Sequence, residues 1–537
     1  MGDIHPMSAT RHALGRSVRT VSSLTLVSRV TGLVRDLVTV RIFGDGMVGS
    51  AFAAAFAIPN MFRRLFGEGA LSAAFIPEYT RLVRDDESVA HAFGSLTIAL
   101  VSLVTVLLTA VVEIGLGLAL VLSLQDADRA YSIGLTMFLL PYMPLVCVAG
   151  MLAGMLQVHG RFGPGAAMPI ILNLCILVVS VPFFVVDASA RQWSWLIGAA
   201  VLISGVLQIL WSLAALRGKV RWTRAFGAAS VPARQMLFRL GPVLLGLGTL
   251  QVNALIDTLI AMWPNWVGPT ILGHEYPLDE ASNSILFFTQ RLYQFPLGVF
   301  GIAVATAIFP ALSRASDDRA AFVDLLRHGV RLSLFIALPA SVGLALVSRE
   351  LVTTLYSGPG GGFSQDGIGR ASAVLIAYAV AVWAYSLNQL WTRSFYALGD
   401  TRTPMRVAVA MVLVNLALNL VLVFLTPLRE AALAWSTAAS AIVQCLVLPM
   451  LLSCGRKVAL FDRATLVGIL RSGMLTLGMV VMVVVIQQLL GEQDSWSGWA
   501  VRLAGVTLFG GSAYLLAARL LRLDELEWLV HRTKDES

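Results

Sequence analysis

Arginines stand inside apolar stretches that are long enough to cross a membrane. The first such stretch, SSLTLVSRVTGLVRDLVTVRIF, contains Arg29, Arg35 and Arg41, and the next contains the adjacent pair Arg63 and Arg64. An arginine at the centre of a membrane span costs about 2.5 to 3.5 kcal/mol on insertion scales. These side chains are therefore predicted to face water, a counter-charge or a bound anion.

Carboxylates stand near some of these arginines but cannot neutralise all of them. Asp36 shares a helix face with Arg29, seven residues earlier, and Glu68 is four residues from Arg64, a spacing that suits an ion pair. Arg291, in the run FFTQRLYQFPLGVFG, has no acidic residue within one helical turn. An excess of guanidinium groups suits a phosphate or diphosphate, because guanidinium stays charged and binds such oxygens in forked pairs.

Two alternatives to anion binding stay open for these arginines. Arg41, near the outer end of its span, and one of the two adjacent arginines of the second span are equally consistent with side chains that snorkel to the membrane surface. For the remaining arginines, an internal ion pair that fixes helix packing is the alternative.

A second polar group consists of Asp257 in LQVNALIDTLIAM with Asn415 and Asn419 in VNLALNLVL. The two asparagines are four residues apart and share a helix face. Amide oxygens with one carboxylate are ligands that a sodium ion or a proton site uses, so the sequence suggests Na⁺ or H⁺ coupling there. Ordinary hydrogen bonding between helices accounts for the same residues equally well.

The composition determines which elements carry these residues. The chain has 537 residues, of which 57% are hydrophobic and 13% charged, and its mean hydropathy is +0.79. These values predict an all-α polytopic membrane protein. A span needs about 20 mainly apolar residues, and fourteen transmembrane helices are predicted. The fourteen segments are 20–43, 47–81, 92–124, 130–157, 165–187, 193–216, 237–263, 282–312, 322–356, 370–397, 405–426, 431–453, 464–490 and 498–521.

Basic residues alternate between the linkers that join these spans. The linkers after the second, sixth, eighth, tenth and twelfth spans are basic, whereas alternate linkers such as FGDGMVGS hold few or no basic residues. Because cytoplasmic loops retain Lys and Arg, both termini are predicted to be cytoplasmic. Orientation also accounts for the net charge of +8, so no nucleic acid partner is expected. No GxxxxGK[ST] run is present, and no cofactor is predicted.

The chain contains an internal repeat. FIPEYTR at 75–81 resembles IFPALSR at 308–314, and HGRFGP at 159–164 resembles GDTRTP at 399–404. Each half holds six spans, which predicts two pseudo-symmetric six-helix lobes plus two C-terminal helices. The predicted layout is a cytoplasmic segment 1–19, an N-lobe 20–216, a basic linker 217–236, a C-lobe 237–453, the last two spans in 454–522 and a cytoplasmic tail 523–537.

The runs SSLTLVSRVTGLVRDLVTVRIFGDG and AFAAAFAIPNMFRRLFGEGALSAAFIPEYTR closely resemble the MurJ (MviN) lipid II flippases of the multidrug/oligosaccharidyl-lipid/polysaccharide exporter superfamily. QRLYQFPLGVFGIAVATAIFPALSR and FYALGDTRTP resemble the second half of that family, so the resemblance covers essentially the whole chain. It implies alternating access of two lobes. The substrate would be undecaprenyl-diphosphate-linked peptidoglycan precursor, lipid II, carried from the inner to the outer leaflet of the bacterial cytoplasmic membrane for cell-wall synthesis.

The resemblance also implies roles for individual residues. The substrate-binding residues it implies are Ser28, Arg29, Arg35, Arg63 and Arg291, and the ion pairs that gate transport would involve Asp36, Arg64 and Glu68. The last two spans would form a groove for the polyprenyl tail. Membrane lipids and cell-wall synthesis proteins are further candidate partners. Three positions depart from the family pattern and bear on gating: Ser50 where an Asp is common, Ala57 where a Lys occurs, and Gln290 where an acidic residue often precedes the arginine.

Competing functions come from two classes. A drug/cation antiporter or a flippase of another polyprenyl-linked oligosaccharide would share the superfamily, although the arginine excess argues against a cationic substrate. A membrane-embedded glycosyltransferase would need catalytic groups, and the clustered candidates are His274, Glu275, Asp279 and Glu280 in the longest outer loop. A solvated loop is the simpler interpretation of that cluster, so the sequence predicts a transporter and not an enzyme.

Overall fold

The computed structural model describes residues 6–67, 70–358, 361–456 and 460–530, so Glu68 lies outside the described residues. Almost all described elements are helices. They are α1 Pro6–Phe43, α2 Met47–Phe62, α3 Ala70–Asp85, α4 Glu87–Leu122, α5 Ala127–Leu139, α6 Tyr142–Val158, α7 Phe162–Ser180, α8 Ala190–Leu216, α9 Ser230–Ala261, α10 Trp263–Trp266, α11 Ser282–Pro296, α12 Ile302–Arg314, α13 Arg319–Leu346, α14 Ser348–Tyr356, α15 Gln365–Val380, α16 Val382–Ala397, α17 Arg402–Leu425, α18 Ala431–Arg456, α19 Arg463–Leu490, α20 Trp496–Leu520 and α21 Asp524–Val530. A two-stranded antiparallel hairpin, β1 Thr270–Ile271 and β2 His274–Glu275, lies in the loop between α10 and α11.

Ten helical segments among the described residues are long and apolar enough to cross a membrane. They are α4, α5–α6, α7, α8, α13, α15–α16, α17, α18, α19 and α20. The four other predicted spans coincide with α1, α2–α3, α9 and α11–α12. The prediction of an all-α polytopic membrane protein is confirmed.

Two π-helical turns interrupt spans at corresponding places in the repeat. Arg63–Gly67 separates α2 from α3, and Leu297–Gly301 separates α11 from α12. A proline precedes each turn, Pro59 in α2 and Pro296 at the end of α11. Proline removes a backbone donor and a π-turn widens the helix, so both sites bend the span. Each bend lies just before a copy of the repeated FIPEYTR/IFPALSR motif.

The first compact unit comprises residues 1–284. Within it α1 packs along α7, α6 and α7 pack on α8, and α9 packs on α3. Its core includes the stacked rings of Phe75, Tyr79 and Phe93, which are fully buried. The predicted lobes instead divide the chain at the linker 217–236, and that layout stays a prediction.

The second compact unit comprises residues 285–537, and its last two spans pack on α13 and α14. Ion pairs join these last two spans to α13 and α14 near both ends. Near the end of the chain, Arg331 Nε lies 2.7 Å from the buried Glu525 Oε1, and at the opposite ends of these helices Arg502 Nε lies 3.1 Å from Glu350 Oε1. Because removing one partner of a buried ion pair is strongly destabilising, these contacts fix α19–α21 to α13–α14.

Candidate functional site

Arg35 is the centre of a polar contact between α1 and α7. Its Nη2 and Nε lie 2.6 and 3.0 Å from one oxygen of Asp36, and its Nη1 donates to Asn173 Oδ1 at 2.9 Å. The guanidinium also lies over the Phe56 ring, 5.4 Å from the ring centroid. These bonds engage three of the five N–H donors of the guanidinium. Within the described residues, the other two donors remain for a further acceptor.

Asn173 holds this arrangement from the side of α7. Its side chain is 2% exposed, and its amide nitrogen donates to the Ser28 carbonyl at 3.2 Å and to the Thr31 hydroxyl at 3.0 Å. Both ends of the amide are therefore used to set the register of α1 against α7 and to orient Arg35. Sequence analysis did not single out Asn173 as a site residue, although an amide within the apolar run MPIILNLCILVV was the available signal.

Arg29 is exposed and makes no hydrogen bond or ion pair within the part of the chain that the structure describes. Its predicted face-mate Asp36 is seven residues away, about 10 Å along a helix, and bonds to Arg35 instead. Ser28 is half-buried beside it. One carboxylate thus faces two guanidinium groups on α1, and this stretch keeps a net positive charge.

Arg63 begins the π-helical turn that follows α2. Its Nε donates to Asn60 Oδ1 at 3.2 Å, and the Asn60 amide donates to the Phe56 carbonyl at 2.9 Å. Phe56 also lies under Arg35, so α2 contributes to the same polar contact. Arg64 is exposed, and its predicted ion pair with Glu68 involves a residue outside the described ranges.

Arg291 lies in the second compact unit, on α11. Its guanidinium lies 4.8 Å from the centroid of the Phe287 ring, one turn earlier. Two residues later the Tyr293 ring stacks on Tyr378 at 4.5 Å and on Tyr385 at 5.4 Å. The contact with Phe287 is a cation–π contact, in which the ring lies against the face of the guanidinium.

The residues of the suggested cation site belong to different compact units. Asn415 and Asn419, in the second unit, are buried, and the Asn419 amide donates to Asn415 Oδ1 at 3.0 Å. Asn415 in turn donates to the Thr437 hydroxyl of α18 at 3.3 Å. Asp257 is half-buried in α9 of the first unit. These bonds match the hydrogen-bonding alternative for the asparagines, and the cation site stays a prediction.

Ser50, which stands where the family commonly has an Asp, forms hydrogen bonds with neutral groups at the start of α11. The backbone N–H of Ser284 donates to the Ser50 hydroxyl at 2.9 Å, and the Asn283 amide donates to the Ser50 carbonyl at 2.9 Å. A methyl group on Gly49 would lie 2.5 Å from the Ser284 hydroxyl oxygen, so the start of α2 and the start of α11 are in close contact. Buried hydrogen bonds therefore occupy the position of the family's Asp. Ala57 and Gln290 are both half-buried.

The polar residues of the loop between α10 and α11 form a short strand and the turn that begins α11. His274 and Glu275 form the exposed strand β2, and Glu280 is exposed as well. Asp279 Oδ1 accepts hydrogen bonds from the Ala281 N–H and the Ser282 hydroxyl, both at 3.1 Å, where α11 begins. This is the geometry of a turn and helix start, which agrees with the interpretation as a solvated loop.

Solved structures with the same fold are membrane transporters. The lipid II flippase MurJ in its inward closed conformation matches with a TM-score of 0.73 and 22% identity, covering 94% of this chain and 99% of that one. An inward-facing multidrug resistance MATE family transporter matches with a TM-score of 0.64 and 15% identity, covering 82% of this chain and 99% of that one. The chain therefore has the all-α fold of these polytopic membrane proteins.

Sequence comparisons identify the family. The family model "Lipid II flippase MurJ" matches residues 39–504. The "Probable lipid II flippase MurJ" of Vibrio cholerae is 30% identical over 421 residues, which cover 74% of this chain and 75% of that protein. The protein of the same name in Rickettsia prowazekii is 27% identical over 436 residues, covering 80% and 82%. The chain belongs to the MurJ lipid II flippase family, as its motifs predicted, and the glycosyltransferase alternative is rejected because members of this family are named as flippases.

Proposed function

We propose that this protein moves lipid II from the inner to the outer leaflet of a bacterial cytoplasmic membrane by alternating access. Family membership supports a lipid-linked substrate with a diphosphate. The observation that carries the proposal is the positive charge on α1. Arg29 is exposed and has no partner among the described residues, and Arg35 pairs with one carboxylate, that of Asp36. Such a positively charged surface suits an anion with several oxygens.

The geometry supports a specific role for Arg35. Asp36 and Asn173 fix its guanidinium while two N–H donors stay available, so little side-chain entropy is lost when a phosphate oxygen binds. A hydrogen bond to a charged group contributes about 1.5 to 3 kcal/mol. Arg29 adds a second charge of the same sign on α1, and we infer that Arg63 and Arg291 contact the same substrate.

The remaining features of the proposal concern placement and the lipid tail. We infer a multi-pass protein with cytoplasmic N- and C-termini from the alternation of basic linkers. We also infer that α19 and α20 hold the polyprenyl chain. Support comes from their exposed apolar side chains, such as Leu477 on α19 and Leu508 on α20, which are 66% and 67% exposed. A hydrocarbon chain binds such a surface by the same dispersion contacts as membrane lipid.

Coupling to a cation is a separate part of the proposal. We infer that Na⁺ or H⁺ binds near Asp257 with the Asn415 and Asn419 pair and resets the empty carrier. Burial of both asparagines supports a polar site in unit 2, since such groups are costly inside a membrane. An Asp257→Asn variant should then lose the dependence of transport on an ion gradient, and equal ion dependence in this variant and the wild type would remove this part.

The experiment for the whole proposal uses purified protein in liposomes with fluorescent lipid II. Leaflet exposure is scored with a membrane-impermeant quencher, with and without Na⁺, H⁺ and potential gradients, and protein-free liposomes serve as the control. We expect exposure of lipid II to depend on the protein. Movement of an organic cation with no movement of lipid II would instead support the drug/cation antiporter.

A further inference from the structure

Arg393 is a half-buried arginine of the second compact unit that none of the roles above uses. It lies on α16, four residues before the helix ends, and makes no hydrogen bond or ion pair within the residues that the structure describes. The nearest carboxylate along the chain, Asp400, accepts from the N–H groups of Arg402 and Thr403, both at 3.0 Å, at the start of α17. That carboxylate is therefore occupied by a helix cap.

Arg393 ends a polar stripe on α16. Tyr385, Gln389 and Arg393 follow one another at four-residue spacing and are all half-buried, while Leu390 and Ser394 on the opposite side are fully buried. The stripe is thus accessible along its length although the helix spans the membrane. Tyr385, at the end of the stripe farther from Arg393, stacks on the Tyr293 ring of α11. Tyr293 is two residues beyond Arg291, so the stripe runs from the helix that carries Arg291 to the end of α16.

The fold itself does not require a charge at this place. Gly160 and Gly399 have the same left-handed backbone where α6 and α16 end, and on that alignment Arg393 falls opposite Gly154, a buried residue of the first unit. A guanidinium without a counter-charge is costly within a span. Because only the second copy of the repeat has an arginine here, we infer that the arginine binds a ligand that contacts this unit.

The depth of Arg393 indicates which ligand. Four helical residues correspond to about 6 Å, so the side chain lies close to the headgroup level at the end of α16. The linker that follows this span is basic and is predicted to be cytoplasmic. The diphosphate of a lipid-linked substrate starts at this depth, because its polyprenyl chain is anchored in the leaflet.

We propose that Arg393 makes the first contact with the diphosphate of the incoming polyprenyl-linked substrate at the cytoplasmic end of α16. This inference rests on the proposed function and on the predicted orientation. A guanidinium donates to two diphosphate oxygens at once in a forked pair, which a neighbouring amide such as Gln389 cannot do. Arg393 is therefore a substrate-binding residue of the second unit, and it should affect capture of substrate more than its release.

The experiment compares Arg393→Gln, Arg393→Lys and the control Arg402→Gln, which removes an exposed charge from the same end of the protein. Each variant is purified in nanodiscs, and its equilibrium affinity for lipid II and the KM and kcat of lipid II movement in liposomes are measured. We expect Arg393→Gln to lower affinity about ten-fold or more, the loss of one charge-assisted hydrogen bond. KM should rise while kcat changes little, and Arg402→Gln should match the wild type.

Arg393→Lys keeps the charge but not the forked pair, so an intermediate affinity is expected even if Arg393→Gln does not reach the membrane. Wild-type affinity in both Arg393 variants, or an equal loss in Arg402→Gln, would overturn the inference and leave a side chain that snorkels to phospholipid. Failure of the wild type to bind lipid II would overturn the proposed function instead, and the two failures are therefore distinguishable.

Discussion

Two arginines with nearly the same burial make opposite use of their charge. The Arg35 side chain is 13% exposed and donates to one oxygen of Asp36 and to one amide oxygen. The Arg370 side chain is 11% exposed, and its Nε and Nη2 each lie 2.8 Å from a different oxygen of the buried Glu430. The second is a forked ion pair to both oxygens of one carboxylate, and a second carboxylate, that of Asp366, lies 3.5 Å from Arg370 Nη1. Arg35 contacts one oxygen of a single carboxylate.

The difference separates a structural arginine from a binding arginine. Glu430 stands at the start of α18 and Arg370 on α15, so their forked pair joins two helices that pack together. Nothing further is needed to neutralise either group. On α1 a single carboxylate faces two arginines, and the surplus charge is what a diphosphate would neutralise.

The largest expected effect comes from breaking the structural pair. Arg370→Met leaves Glu430 as an uncompensated buried charge, which should lower the free energy of unfolding by about 3 to 5 kcal/mol. The double variant Arg370→Met, Glu430→Leu should recover most of it, because the unpaired charge is gone. Thermal unfolding in detergent measures both. A single variant as stable as the wild type would contradict the comparison.

The next effect comes from removing the binding charges. Arg29→Ala and Arg35→Ala should each weaken lipid II binding about 10- to 100-fold, since one or more charge-assisted hydrogen bonds are lost. Each variant should fail to complement a flippase-depleted cell while staying in the membrane at normal levels. Growth with both arginines neutralised would show that these charges do not hold the substrate.

A sharper test turns the binding arginine into a structural one. Asn173→Asp places a second carboxylate against Arg35, so this guanidinium becomes as fully paired as Arg370. Affinity for lipid II should fall about ten-fold as the charge of Arg35 is neutralised. Asn173→Ala removes three hydrogen bonds that position Arg35 and α1 but adds no charge, so it should have a smaller effect, about three-fold. If Asn173→Asp binds lipid II as tightly as the wild type, pairing is not what distinguishes the two arginines.

The smallest effect concerns a helix cap in the second unit. The Asp462 carboxylate accepts from the Thr465 N–H at 2.8 Å, and hydrogen bonds from the Thr465 hydroxyl and N–H lower its pKa from the usual 3.8. A lowered pKa in the folded state adds stability that is present above pH 3.8 and is lost as pH falls through the folded value. Asp462→Ala should therefore lower the melting temperature slightly at neutral pH. The difference should shrink as the pH falls below about 3.8, and a pH-independent difference would refute the cap.

Much of the fold could be predicted from the sequence because long apolar runs have few alternatives in a membrane. Each predicted span coincides with helical segments of the structure, and the roles predicted for Arg35 and Arg63 stay predictions. The motif FYALGDTRTP and the runs around Arg29 were specific enough to indicate the family.

The details of the site could not be predicted, because they depend on contacts between distant segments. Asn173 is 138 residues from Arg35, and no local spacing connects them. Arg35 bonds to the adjacent Asp36, a pair that helical periodicity does not favour. Arg393 was overlooked because a charge near the end of a span looks like part of the basic linker. Only the structure shows that it ends an accessible stripe.

Surplus positive charge on α1, and not the burial of arginines in general, is what we propose holds the diphosphate. The most direct measurement is the affinity for lipid II of the wild type, the Arg29→Ala, Arg35→Ala double variant and the Arg370→Met, Glu430→Leu double variant, each purified in the same nanodiscs. We expect a loss of about 100-fold or more in the first double variant and wild-type affinity in the second. Equal affinity in all three proteins would contradict it.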